Sequence, residues 1–186
     1  MIAMRRSAVL AAFTLALAGC GGAADAPDSA EPEALATVAE QVTLDLQATG
    51  IVIPAQGALE QLEVPFGSAR GPAEATLGAV AGAVVERGVN GECGAGPMEM
   101  TQFDGLVLNF QDDAFVGWSA TAPYVPELTR AEMLADPAVA LVEGSTLGEE
   151  FTIGDAGGPM ISGLFAGSDD GAAVETLWAG ANCIFR

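Results

Sequence analysis

Apolar and polar positions along the chain follow two different periods, which predicts a fold containing both strands and helices. Apolar residues alternate with polar ones from Val42 to Leu46, as expected of a strand with one buried face. Pro72 is a favourable first residue of a helix, and the apolar residues after it recur at helical spacing as far as Val85. Gly88 then provides a stop signal, so the sequence predicts a helix that ends just before it.

The clearest pattern lies in the middle of the chain and predicts an antiparallel meander. Met98 and Met100 point to one face of a strand that ends at Asp104-Gly105, a strong signal for a tight turn. An alternating apolar run follows, and a second polar turn at 111–113 separates it from an aromatic-rich strand at 115–118. We expect these strands to share one buried face.

A second series of elements follows the meander. Thr129 and Glu132 have the spacing of a capping box, which predicts a short helix that Pro137 closes. Strand-like runs separated by Gly-rich turns then lie at 139–142, 150–153, 160–165 and 173–178. The sequence therefore predicts an α+β fold, in which one or two helices pack on one face of antiparallel β-sheet. The order of elements indicates two loosely similar helix-plus-meander units.

The N-terminus has the order of segments that a secretory signal requires. Arg5 and Arg6 precede an apolar run that extends from Ala8 to Ala18. A membrane-spanning helix needs about 20 apolar residues, so this shorter run has the length of the apolar region of a signal peptide.

The four residues Leu17-Ala18-Gly19-Cys20 at the end of this run resemble the lipobox of bacterial lipoproteins. The resemblance implies cleavage after Gly19 and attachment of lipid to Cys20, which becomes the N-terminus of the mature protein. Gly21 rather than aspartate follows the cysteine, and within that family this favours the outer membrane, facing the periplasm. The alternative is an ordinary secretory signal that is cleaved without lipidation.

This N-terminus divides the chain into three predicted segments. Residues 1–19 form the signal peptide, residues 20–40 form a lipidated and acidic tether, and residues 41–186 form a single periplasmic domain. The tether consists mainly of small and acidic residues with proline, so it cannot bury enough apolar surface to offset the entropy of ordering. The remaining residues are numerous enough to build a hydrophobic core.

The charge of the chain limits its partners and its chemistry. Its formal net charge is −19, it contains no histidine, and all six of its basic residues are arginines. Such a surface repels phosphate backbones, so we expect no nucleic-acid partner. Without histidine and lysine, the usual schemes that activate a serine or cysteine nucleophile are absent. The sequence therefore favours a non-catalytic domain that binds or scaffolds an envelope protein, with the membrane contacted through the lipid and no cofactor.

Adjacent carboxylates are the remaining candidates for catalysis, and they occur at Asp112-Asp113, Glu149-Glu150 and Asp169-Asp170. A carboxylate-dependent hydrolase of envelope glycans needs two acids about 5–10 Å apart in a cleft, and this is the alternative function. Asp169-Asp170-Gly171 offers oxygen ligands for calcium, but it lacks the spacing of an EF-hand loop. A solvated turn or surface is the favoured interpretation of these acids, so we predict no catalytic or metal site.

Two further cysteines, Cys93 and Cys183, remain once Cys20 is assigned to the lipid. An even number of cysteines in an oxidising compartment favours a disulfide between them. A redox or metal-binding pair is the alternative, although redox cysteines usually lie close in sequence and no histidine is present as a further metal ligand. Trp118 and Trp178 lie in strand-like runs, and we favour burial in the core over a role in a ligand groove.

Overall fold

The computed structural model describes residues 43–56 and 60–184 of the 186-residue chain. The predicted signal peptide, the predicted tether and the predicted lipidation site at Cys20 lie outside the described residues. Within the described part of the chain, no helix is long and apolar enough to cross a membrane.

A small antiparallel sheet of three strands comes first along the chain. Its strands are β1 (Asp45–Gln47), β2 (Gly50–Ile53) and β3 (Leu62–Pro65), in the order β1-β2-β3. The central strand β2 is buried along its whole length, because it has a neighbour on each side and its apolar residues join the core. Strand β1 starts three residues later than the alternating pattern predicts, and Val42 lies outside the described residues.

A larger antiparallel sheet of eight strands contains most of the fold. Its strands pair in the order β4-β5-β6-β7-β11-β10-β9-β8, which places two four-stranded meanders side by side with their last strands paired. Each meander follows a helix in the chain, so the predicted α+β class with helix-plus-meander units is confirmed. The strands are β4 (Glu86–Asn90), β5 (Met98–Phe103), β6 (Leu106–Gln111), β7 (Ala114–Ala120), β8 (Val139–Leu141), β9 (Glu150–Ile153), β10 (Ile161–Phe165) and β11 (Val174–Gly180).

Two helices are present in the described residues, α1 (Arg70–Ala81) and α2 (Arg130–Leu134). The capping box of α2 is confirmed: the Thr129 hydroxyl accepts a hydrogen bond from the amide of Glu132, and the Glu132 carboxylate accepts one from the amide of Thr129. Helix α1 lies against β5 and β7 through its buried residues Ala73 and Leu77.

The predicted end of the first helix at Gly88 is wrong. Helix α1 ends at Ala81, where Gly82 takes a φ of 87°, a left-handed conformation that glycine adopts without strain. Val85 continues the helical spacing of apolar residues, yet its amide donates to the carbonyl of Gln102 in β5. Pairing with a strand distant in the sequence therefore overrides the local pattern, and Gly88 lies inside β4.

The core lies between one face of the large sheet, helix α1 and the small sheet. Its largest fully buried side chains are aromatic: Phe103, Phe110, Phe115, Trp118 and Phe151. The indole of Trp118 donates a 2.9 Å hydrogen bond to the carbonyl of Gln47, which joins the large sheet to β1. Trp178 is also buried, so both tryptophans lie inside the fold.

Candidate functional site

The acidic pairs in turns do not converge on a cleft. Asp112 and Asp113 form the exposed two-residue turn between β6 and β7, with φ values of 49° and 64°. Both residues tolerate this left-handed conformation because a short polar side chain can bond to the local backbone. Asp169 and Asp170 are exposed in the turn between β10 and β11.

The two residues of the third acidic pair lie in different environments: Glu149 forms a surface ion pair, and Glu150 is buried. Glu149 accepts a 3.2 Å hydrogen bond from the guanidinium of Arg130, which also lies 3.9 Å from the carboxylate of Asp170. Glu150 is 1% exposed, and its carboxylate accepts a 2.6 Å hydrogen bond from the hydroxyl of Ser145. Arg130, which the sequence did not single out, therefore holds one member of each of two acidic pairs at the surface.

The predicted disulfide between Cys93 and Cys183 is confirmed. Cys183 belongs to the segment 181–184, which follows β11. Asn109, itself buried, donates a 2.6 Å hydrogen bond to the side chain of Asn182. The amide of Ala181 donates a 2.8 Å hydrogen bond to the carbonyl of Val116. The disulfide and these hydrogen bonds fix the C-terminal segment to the strands of the first meander.

A cluster of ionic side chains joins α1 to β4 and β5. Glu74 accepts hydrogen bonds from Arg87 at 2.7 Å, from Arg70 at 2.8 Å and from the hydroxyl of Thr101 at 2.5 Å. The hydrogen bond from Arg87, followed by those from Arg70 and Thr101, lowers the pKa of Glu74 from its usual 4.5 to about 2, against an opposing effect of burial. Because Glu74 stays ionised and its oxygens are occupied, the cluster acts as a brace between elements. The spacing of Arg70 and Glu74, four residues apart, is the sequence signal for it.

A groove of about 530 Å³ lies between the C-terminal end of α1, strand β1, the loop 121–126, the end of β9, the start of β10 and the middle of β11. Most of its lining residues are aliphatic, and they come from each of these elements. The apolar groove, as we call it, is lined by Thr43, Leu44, Asp45, Leu46, Val80, Ala81, Gly82, Asp104, Pro123, Tyr124, Val125, Pro126, Ile153, Ile161 and Leu177.

Two of the four polar residues that line the apolar groove, Thr43, Asp45, Asp104 and Tyr124, are acidic. Asp45 and Asp104 are exposed on its lining, and the carboxylate of Asp45 accepts a 3.0 Å hydrogen bond from Gln47. Burial of the Tyr124 side chain raises the pKa of its phenol, and the negative charge of Asp104 raises it further. The phenol therefore stays protonated and can donate a hydrogen bond. Among the described residues, no basic side chain lines the groove. The groove therefore combines an aliphatic floor with negative charge.

The sequence did not reveal this groove. Its walls come from distant parts of the chain, and each of them alone has the pattern of ordinary core residues. One signal was available in the loop 121–126, where the only tyrosine of the chain lies between two prolines, Pro123 and Pro126. Prolines fix the backbone of a connection, and loops held by a rigid scaffold often carry binding residues.

The chain matches no family model, and comparison with curated proteins and with solved structures finds no significant similarity to either.

Proposed function

We propose that the folded part of this chain is a non-catalytic binding domain whose ligand site is the apolar groove. The observation that carries this proposal is the groove itself. Its volume of about 530 Å³ lies within the range of about 300–1,000 Å³ typical of sites for small ligands. Such sites are mainly apolar with a few converging polar groups, and the aliphatic lining with Asp45, Asp104 and Tyr124 has this character.

The arrangement of the remaining polar residues supports binding rather than catalysis. The adjacent acidic pairs lie in turns, in an ion pair with Arg130 or in the interior, and none of them lines the groove. The chain has no histidine or lysine to activate a hydroxyl or thiol. A groove that receives a ligand without transforming it is consistent with this chemistry.

We further propose that lipid on Cys20 holds the domain at the cell envelope, in the outer membrane facing the periplasm. The basic residues, the short apolar run and the lipobox-like residues that precede Cys20 support this location. A disulfide between Cys93 and Cys183 is also typical of an oxidising compartment. The predicted tether of residues 20–40 then links the lipid to the domain.

Binding of n-octanol to the lipid-free mature chain, residues 20–186 with Cys20→Ser, tests the groove by calorimetry and NMR. We expect saturable binding that Ala81→Phe abolishes, because Ala81 lines the groove and an aromatic ring fills it. Ala140→Phe is the matched control, because Ala140 is an exposed residue of β8 outside the groove. Equal octanol binding by both variants would refute the groove as the site.

The anchor is tested separately by mass spectrometry of the mature N-terminus in the bacterium that makes the protein. We expect acyl groups on Cys20, and we expect the Cys20→Ala variant to lose them and to leave the membrane fraction. An unmodified N-terminus other than Cys20 would refute the anchor while leaving the binding proposal untouched.

A further inference from the structure

We infer that the apolar groove selects ligands that combine an apolar body with a cationic head group, such as an alkyl amine. This inference rests on the proposed function, because it specifies the ligand of that same site. Two separate observations support this inference: the aliphatic lining of the groove and its negative charge.

The aliphatic lining of the groove favours an apolar body. Val80 and Ala81 at the end of α1 line it together with Ile153, Ile161 and Leu177 of the large sheet. Each methylene buried against such residues raises affinity about fourfold. The volume of the groove is that of a site for one small molecule. A stable protein interface extends over about 800 Å² on each partner, so we assign the groove to a small ligand.

The charge of the groove favours a positive head group. Asp45 and Asp104 are its two charged residues. The described arginines lie elsewhere and are paired with carboxylates: Arg70 and Arg87 with Glu74, and Arg130 with Glu149. An anionic head group therefore meets two like charges and no cation among the described residues of the groove. A cationic head group is complementary in charge to the carboxylates of the groove.

Three compounds with the same eight-carbon chain separate the contribution of the head group from that of the floor. They are n-octylamine, which is cationic at neutral pH, n-octanol and n-octanoate, titrated into the lipid-free mature chain and followed by NMR chemical shifts. We expect octylamine to bind about fivefold to tenfold more tightly than octanol, as two solvent-exposed charge pairs allow. We expect octanoate to bind more weakly than octanol.

Asp45→Asn combined with Asp104→Asn removes the charge of the groove with little change in shape. Asn-Gly is as favourable as Asp-Gly in a tight turn, so the Asp104→Asn substitution should leave the turn before Gly105 intact. In this double variant we expect octylamine to lose its preference and to bind no more tightly than octanol. Asp112→Asn, in the exposed turn outside the groove, is the control and should preserve the preference for octylamine.

The outcomes distinguish failure of the inference from failure of the proposed function. If octanol binds in the groove but octylamine binds no more tightly, the inference is overturned and the binding function stands. A preference for octylamine that persists in the Asp45→Asn, Asp104→Asn variant comes from overall charge, and it also overturns the inference. If none of the three compounds binds, both the inference and the proposed function are overturned.

Discussion

The disulfide between Cys93 and Cys183 should contribute a large part of the stability of the domain. The two cysteines are 90 positions apart in the sequence. In the chain-entropy model, cross-linking a loop of this length removes enough freedom from the unfolded chain to stabilise the native state by about 4.6 kcal/mol. The Cys93→Ala, Cys183→Ala double variant should lose free energy of unfolding close to this value, since native disulfides typically contribute about 2–5 kcal/mol.

The structure also predicts where the loss appears first. Segment 181–184 covers Met98, which is 0% exposed, and Asn109, which is 3% exposed. Without the disulfide, hydrogen bonds between Asn109 and residues 181–182 remain as a local attachment. We therefore expect loss of the disulfide to accelerate hydrogen exchange at the amides of β5 and β6 that contact this segment. The acceleration should be smaller at the amides of β9 and β10.

Urea unfolding followed by the fluorescence of the two buried tryptophans measures the effect. The unaltered chain with a reductant should lose as much free energy of unfolding as the double variant, and the double variant should not respond to the reductant. A loss below about 1 kcal/mol would show that the C-terminal segment is held by its other contacts, and it would refute the reasoning from loop entropy.

The remaining predictions concern stability and use the same urea assay. Glu74→Gln removes the negative charge that pairs with Arg87 and should lower the free energy of unfolding by about 2 kcal/mol at neutral pH. Solvent screening of the exposed Arg87 keeps this loss smaller than the pKa shift alone implies. The folded pKa of Glu74 is lowered to about 2, so its contribution is complete above the usual 4.5 and is lost as the pH falls toward 2. The free energies of unfolding of the unaltered chain and of the Glu74→Gln variant should therefore converge as the pH falls from 4.5 to about 2. A constant difference between them would contradict the role given to ionised Glu74. Thr129→Ala removes the N-cap of α2 and should cost about 1 kcal/mol, whereas an unchanged midpoint would refute the role of the capping box. Gly117→Ala should destabilise the fold strongly, because an added methyl group collides with the backbone of Ala181. Unchanged stability of that variant would contradict the close packing of the C-terminal segment against β7.

Local patterns in the sequence predict strands β5 to β7 of the first meander well, but they miss β4. Between Met98 and Ala120 the apolar alternation, the Asp104-Gly105 turn and the Asp112-Asp113 turn act over a few residues, and the structure places strands and turns accordingly. The capping box at Thr129 is equally local. The disulfide was predictable for a different reason, because two cysteines remained once Cys20 was assigned to the lipid.

Features that depend on distant residues were not predictable in the same way. The sequence pattern misplaces the end of α1 because Val85 continues the helical spacing of apolar residues. In the structure, the amide of Val85 instead donates a hydrogen bond to the carbonyl of Gln102 in β5. No local pattern indicates that β7 pairs with β11, and this pairing joins the two meanders into one sheet. The apolar groove depends on that joining, because Leu177 of β11 lies in its floor. A site assembled in this way leaves no short motif in the sequence.

The position of a bound alkyl chain shows whether the apolar groove is the ligand site. Intermolecular nuclear Overhauser effects between n-octylamine and the ¹³C-labelled methyl groups of the lipid-free mature chain measure this position. We predict contacts from the alkyl chain to methyl groups of Val80, Ile161 and Leu177, with the amine near Asp45 and Asp104. Contacts confined to exposed apolar residues outside the groove, such as Val85 and Val89, would contradict this prediction.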